Sequence, residues 1–217
     1  NESHGTVDIK KSFSESCNTS FANMGTKINM KLFRELCDSF LFNSNLPSNL
    51  PYNPSSFTIS GSSNVNEMPQ TVIGQGKTQI TPLHAALITS TIANGGVMMK
   101  PYVVDHVENV NGTVVKKYMP EIYKTLMTPE EAQILTSFME ETVKTGTADA
   151  LSGKKYTSAG KTGSAEHQDG KRPHSWYVGF APAEKPEIVV SIIVESAGTG
   201  SAYAVPIASK IFDAYFK

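Results

Sequence analysis

A chain of 217 residues can bury one sizeable core and fits a single domain with a single site. With 39% apolar and 18% charged residues it is globular rather than disordered. A net charge of −1 with no block of like charges excludes the phosphate-neutralising stripe of a nucleic-acid binder, so no nucleic-acid partner is expected.

From Val7 to Phe42, apolar residues recur at steps of three and four, through Val7, Ile9, Phe13, Cys17, Phe21 and Met24, then Ile28, Leu32, Phe33, Leu36 and Phe40. This spacing predicts two or three short amphipathic helices with a break at Gly25. Cys17 and Cys37 fall on these helices and fit no metal or disulfide pattern, so both are expected to pack as small hydrophobes. Between Asn43 and Pro69 the chain turns to Asn, Ser, Pro and Gly, which reads as a long surface excursion.

Thr81-Pro82 sets a capping oxygen before a residue that needs no N–H in a first turn, and Gly95-Gly96 offers a left-handed stop, predicting a helix from Pro82 to Asn94. Thr128-Pro129-Glu130-Glu131 is a capping box, and Ile134, Leu135, Phe138, Met139 and Val143 carry its helix to about Gly146. Three strands follow, Tyr156 to Ser164, Ser175 to Phe180 and Ile188 to Val194, whose short connections imply antiparallel pairing. The last run is far shorter than the roughly 20 apolar residues that span a bilayer, and no leader or anchor is expected within these residues. A closing helix from about Val205 to Phe216 would bury one face on that sheet, making an α+β architecture.

Three short motifs together suggest serine acyl transfer: a helical SxxK, an SxN triplet, and KTG on a strand. A serine hydroxyl needs a base to take its proton, a lysine of lowered pKa can serve, and a cation is needed for an anionic substrate. SxN occurs at Ser16-Cys17-Asn18 and at Ser62-Ser63-Asn64, and KTG at Lys144-Thr145-Gly146 and Lys161-Thr162-Gly163. Lys144 ends a predicted helix, where Lys-Thr-Gly makes an ordinary terminus. Lys161 lies between glycines in an extended run, where a ligand backbone can lie alongside. Ser62 to Asn64 falls in the turn-rich stretch, whereas Ser16 to Asn18 sits at a helix junction, from which a hydroxyl and an amide can point into one cleft.

The two SxxK matches, at Ser152 and Ser158, fail on geometry. The pair must lie about 5–6 Å apart on one helix face. Ser158 and Lys161 are in a predicted strand, about 10 Å apart on opposite faces, and Ser152 is followed by Gly153, too near the next strand for a stable helix. The five histidines, His4, His84, His106, His167 and His174, show no metal spacing and are expected to be exposed or satisfied; His167 and His174 flank the turn beside the strand of Lys161. Gly74-Gln75-Gly76 lacks the GKS or GKT of a phosphate loop. Neither a cofactor nor a metal is expected.

Five ordered blocks, His4 to Gly25, Ile73 to Gly96, Glu141 to Ala148, Ala159 to Glu166 and Ser175 to Pro182, resemble class B penicillin-binding proteins, with the likeness running to the elongation-type, PbpA-like group of Gram-positive bacteria. The resemblance implies a penicillin-binding transpeptidase fold, similar to serine β-lactamases, with an antiparallel sheet packed by helices. It implies that Ser16 and Asn18 are the second motif, assisting proton transfer and holding the substrate backbone. Lys161, Thr162, Gly163 and Ser164 would be the third, with Lys161 favouring the ligand's anionic end and the Ser164 N–H donating to an oxyanion. Such enzymes cross-link peptidoglycan stem peptides, are acylated by β-lactams, work outside the cytoplasmic membrane, and are partnered by a membrane glycosyltransferase of the elongation or division machinery.

In that family the SxxK helix precedes SxN by several tens of residues, and fifteen residues precede Ser16. Residues 1–217 are therefore expected to be a partial transpeptidase domain, incomplete at its N-terminus, with the nucleophilic serine, its lysine, the pedestal and the membrane anchor outside it. Where the family has an aromatic-Gly-aromatic turn, this chain has Phe40-Leu41-Phe42. Two rivals stay open: a β-lactam sensor or non-catalytic scaffold, which loss of SxxK upstream would favour, and a serine β-lactamase, against which the Gly74 to Leu83 block argues.

Overall fold

Thr128 Oγ1 accepts the Glu131 N–H at 3.2 Å while Glu131 Oε2 accepts the Thr128 N–H at 2.8 Å, so the capping box starts its helix as its residues dictate. The computed structural model describes residues 4–59 and 67–217. Three short helices come first, α1 (Ile9–Ser14), α2 (Asn18–Gly25) and α3 (Met30–Ser39), then α4 (Glu67–Val72) and α5 (Pro82–Ala93). Two small antiparallel ladders follow, pairing β1 (Val97–Met99) with β4 (Ile122–Thr125) and β2 (His106–Glu108) with β3 (Val114–Lys117). After α6 (Pro129–Lys144) come β5 (Ala159–Ala165), β6 (His174–Ala181), β7 (Ile188–Val194) and α7 (Gly200–Tyr215).

The main sheet is antiparallel in the order β5-β6-β7, with Lys161 opposite Val178 and Gly163 opposite Trp176. Alternation along β6 sends Tyr177 and Ala181 to one face, where they pack with Ala204, Val205, Ala208 and Phe212 of α7. It sends Phe180 to the other, against Met139 of α6, with Ile92 of α5 and Phe13 of α1 alongside. Burying a side chain such as Phe212 is worth about 1.5–3 kcal/mol, so each face secures one helical layer. The result is helix, sheet, helix, with β5 on an open edge.

Three expectations need correction. The stretch after Asn43 is a surface excursion only in part, with residues 60–66 outside the described residues: most of residues 43–54 are exposed, but Leu46, Phe57 and Ile59 are buried in two apolar clusters with Leu87, Met98 and Met68. Its polar residues serve the backbone instead; the Asn43 side chain donates to Phe57 O and accepts the Phe57 N–H, both at 2.9 Å. The last helix begins at Gly200 rather than Val205, with Pro206 on an exposed side of its second turn. A Cβ at Gly200 would lie 2.4 Å from Trp176 O, so this glycine lets the helix start against the sheet. The first strand of the sheet starts at Ala159 rather than Tyr156.

The cysteines divide. Cys37 is half-buried on α3, and burial pushes its thiol up to about 11. Cys17 precedes α2 and is buried, but it does not behave as a simple hydrophobe: the Ser20 hydroxyl donates to its Sγ at 3.3 Å and, with His4, draws the thiol down to about 7.

Candidate functional site

Asp8 caps α1 by accepting the Lys11 N–H at 2.7 Å, and the helix then ends at a turn whose pivot is Ser16, at φ 55°. The Ser16 N–H reaches Phe13 O at 3.1 Å and the Cys17 N–H reaches Ser12 O at 2.8 Å, closing α1 with a left-handed residue where glycine is usual. A serine in that region costs about 1–2 kcal/mol. Asn18 opens α2, two residues on, and lines a shallow groove of about 490 Å³ with Ala22, Pro69 and Ile73 between α2 and α4.

Across from this corner, the Lys161 ammonium donates to Ser16 Oγ at 2.7 Å and to Thr162 O at 3.0 Å, with the Phe13 ring centroid 5.7 Å away. Among the described residues no carboxylate lies within ion-pairing distance of it. Burial alone therefore acts on its titration and lowers its pKa to about 8. The amine is thus divided between cation and free base near neutrality, the state that either anion binding or proton exchange requires.

The strand's backbone completes the arrangement. Thr162 O receives Lys161, and Ser164 O receives Gln75 Nε2 at 3.3 Å, so both carbonyls face the open edge. In a strand the N–H of a residue points the same way as its C=O, so the Ser164 N–H also faces that edge. The Ser164 hydroxyl accepts the Gly200 N–H at 3.3 Å, which ties the strand to the start of α7. Gly163 keeps the edge shallow; a Cβ there would lie 3.1 Å from Trp176 Cβ.

The structure brings together Ser16 with Lys161, Thr162, Gly163 and Ser164, and sets Asn18 at the neighbouring helix start. Of the alternative motifs, Lys144 ends α6 with Thr145 as its cap, and Ser62-Ser63-Asn64 lies outside the described residues. Ser152 follows a single three-ten turn, Asp149–Leu151, and Ser158 is buried with a hydroxyl lacking a protein partner just before β5. Neither stands on an α-helix with its lysine.

His167 and His174 stack at 3.8 Å between ring centroids and line a cavity of about 1320 Å³ beyond the end of β5, with Trp176, Gly74 and Gly76 among its walls. This cavity adjoins the strand at Ala165 and does not include Ser16 or Lys161. His84 is fully buried, its Nε2 bonded to Phe40 O at 2.6 Å and its Nδ1 without a partner among the described residues. Among the described residues no group of His, Cys, Asp or Glu is placed to hold a metal, and no helix is long and apolar enough to cross a membrane.

Two contributors escaped the sequence reading. Gln75 belongs to the unproductive Gly-Gln-Gly and bonds the strand; Thr147, after the KTG that ends α6, shares a hydrogen bond of 2.6 Å with the Thr162 hydroxyl. The blocks that carry both were visible, but nothing in them says what they touch.

Residues 1–213 match the family described as the penicillin binding protein transpeptidase domain. The peptidoglycan D,D-transpeptidase PbpA of Mycobacterium tuberculosis is 32% identical over 218 residues, covering 96% of this chain and 44% of that protein. The PbpA of Mycolicibacterium smegmatis is 31% identical over 211 residues, covering 93% of this chain and 42% of its own. The chain thus spans less than half the length of these relatives. Penicillin-binding protein A from M. tuberculosis, solved as an imipenem acyl-enzyme complex, superposes with a TM-score of 0.89 at 30% identity, over 100% of this chain and 49% of that one. Its penicillin G acyl-enzyme superposes at 0.88 and 29% identity, over 100% of this chain and 50% of that one. The α+β arrangement built above is the fold of those proteins.

Proposed function

The chain belongs to the penicillin-binding protein transpeptidase family, and from this premise we propose that it forms the SxN and KTG walls of a peptidoglycan D,D-transpeptidase site, the acylated serine residing on sequence outside residues 1–217. The observation that carries the reading is the 2.7 Å bond from the Lys161 ammonium to Ser16 Oγ. It places a cation of lowered pKa and a hydroxyl on one edge, where a strand-like peptide can lie.

The chemistry follows from these placements. A serine oxygen attacks the carbonyl carbon of the D-Ala-D-Ala bond, the C–N bond breaks, and the serine's proton ends on the departing amine of D-alanine. Ser16, in contact with Lys161, is the hydroxyl through which that proton passes, and the Ser164 N–H donates to the oxyanion. An amine of a second stem then attacks the ester carbonyl, the C–O bond breaks, and the proton that the amine loses returns to the serine oxygen, which frees the serine. Lys161 as a cation holds the anionic terminus, with Thr162 and Gly163 lining the strand and Asn18 holding the peptide backbone. A β-lactam follows the same course and stops at the ester.

The family reading extends to the surroundings: a protein anchored in the cytoplasmic membrane, acting outside it on stem peptides, beside a membrane glycosyltransferase. The test is intact-mass analysis of the parent protein with a labelled penicillin and of D-alanine release from a D-Ala-D-Ala peptide. One adduct and D-alanine release are expected, both greatly slowed by Lys161→Ala. A parent protein that forms no adduct refutes the reading.

A further inference from the structure

The KTG at Lys144 to Gly146 does more than end a helix. A Cβ on Gly146 would lie 2.4 Å from Ser14 O and 2.8 Å from the Ser14 carbonyl carbon, so the loop after α6 presses its bare backbone against the end of α1. The next residue grips both walls of the site. The Thr147 N–H donates to Ser14 O at 3.2 Å, and its hydroxyl meets that of Thr162 at 2.6 Å. Ala148, fully buried, anchors the loop from beneath through its N–H to Thr142 O at 3.0 Å. Ser14 precedes Ser16 by two residues and Thr162 follows Lys161 by one, so this loop touches the chain within two residues of each member of the pair.

We infer that Gly146 and Thr147 are positioning residues that hold the Ser16 corner at hydrogen-bonding distance from the Lys161 strand. The inference rests on the transpeptidase reading and adds two residues to its machinery, neither of which meets substrate. Gly146 sets how closely α1 approaches, because any side chain there would push Ser14 away by more than an ångström. Thr147 sets the register of β5 against that helix, because one residue bonds a carbonyl on one side and a hydroxyl on the other. A misplacement of this size between a hydroxyl and its partner is enough to slow chemistry about 100-fold.

The test uses the parent protein and its acylation by a labelled penicillin, resolved into binding and acylation steps. Thr147→Val is expected to slow the acylation step about tenfold with binding little changed, as loss of one hydrogen bond would. Thr147→Ser, which keeps the hydroxyl, should restore the rate to within about twofold. Thr162→Val alone should slow acylation at least as much, since it also alters the substrate strand, and adding Thr147→Val to it should cost little more, because both remove one bond. Gly146→Ala is expected to slow acylation about 100-fold. Wild-type acylation together with an unchanged Thr147→Val rate overturns the inference and leaves the transpeptidase reading standing. Independent, additive losses in the double variant also overturn it, as does failure of Thr147→Ser to recover the rate. Absence of acylation in the wild type removes the reading itself.

Discussion

Lys161 donates a hydrogen bond to Ser16 at 2.7 Å although 145 positions separate them in the chain. The contact joins a strained helix corner to an open sheet edge, and the lysine reaches it through a place that burial makes unfavourable for its charge. Such costs persist where surrounding packing enforces them, here the α1 and α6 helices behind Phe13 and Phe138, whose rings lie 5.8 Å apart.

The lowered pKa of Lys161 gives two pH dependences. The native state loses the proton near pH 8 and the unfolded state near 10.5, so the unfolded chain binds more protons between those values and stability rises with pH across that window. Lys161→Gln should abolish the rise in urea titrations. In the parent protein, acylation efficiency with an anionic penicillin should fall as pH passes about 8, where the free protein loses the cation. Lys161→Arg, permanently charged, should flatten that limb at a lower overall rate.

Ser16 can be separated into strain and function. Ser16→Ala and Ser16→Gly both delete the hydroxyl that Lys161 contacts, but only glycine relaxes at φ 55°. Ser16→Gly should be more stable than Ser16→Ala by about 1 kcal/mol, while both slow acylation of the parent protein about 100-fold. Equal stabilities by chemical denaturation would remove the strain argument.

Tyr177 is fully buried with a hydroxyl that has no partner among the described residues, and burial raises its pKa. Tyr177→Phe should therefore leave stability unchanged or raise it by about 1 kcal/mol. The ring lies along Gly160, where a Cβ would sit 2.1 Å from the hydroxyl and 2.4 Å from Cζ. Gly160→Ala should cost about 1–3 kcal/mol, and Tyr177→Phe should not rescue it, because the ring carbon remains in the way.

His84 makes the fold acid-sensitive. Burial holds its pKa below 6.5, against the opposing pull of the Phe40 carbonyl, so the native state favours the neutral ring. Its contribution is complete above pH 6.5 and is lost as pH falls, because the unfolded chain protonates first. Denaturant midpoints should drop between pH 7 and 5, and His84→Gln should flatten that drop.

Much of this molecule was legible in its residues because the deciding interactions are local. Thr128 and Glu131 are three positions apart and name their own helix, and Ile188 to Val194 is the strand it appears to be. The helix end at Lys144 and the extended, glycine-flanked run at Lys161 were legible for the same reason. The core role of Phe57 and Ile59 was hidden because their neighbours are turn-forming residues whose side chains satisfy buried backbone, a service with no periodicity. The ladders between Val97 and Thr125 have strands of three or four residues, and β2, β3 and β4 are exposed throughout, so no alternation marks them. Thr147 was unreadable for another reason, since its partners Ser14 and Thr162 lie on other elements. Leu41 shows a departure absorbed: at φ 72° it takes a left-handed conformation at the centre of Phe40-Leu41-Phe42 and is buried there, so its apolar contacts offset backbone strain.

Under the proposed reading, Ser16, Asn18 and Lys161 serve a nucleophile that another segment supplies. Peptide mapping of the adduct formed by the parent protein with a labelled penicillin tests this most directly. One acylated serine outside residues 1–217 is predicted, together with no adduct on the 217-residue chain alone; a stoichiometric adduct on Ser152, Ser158 or any other serine within these residues would contradict it.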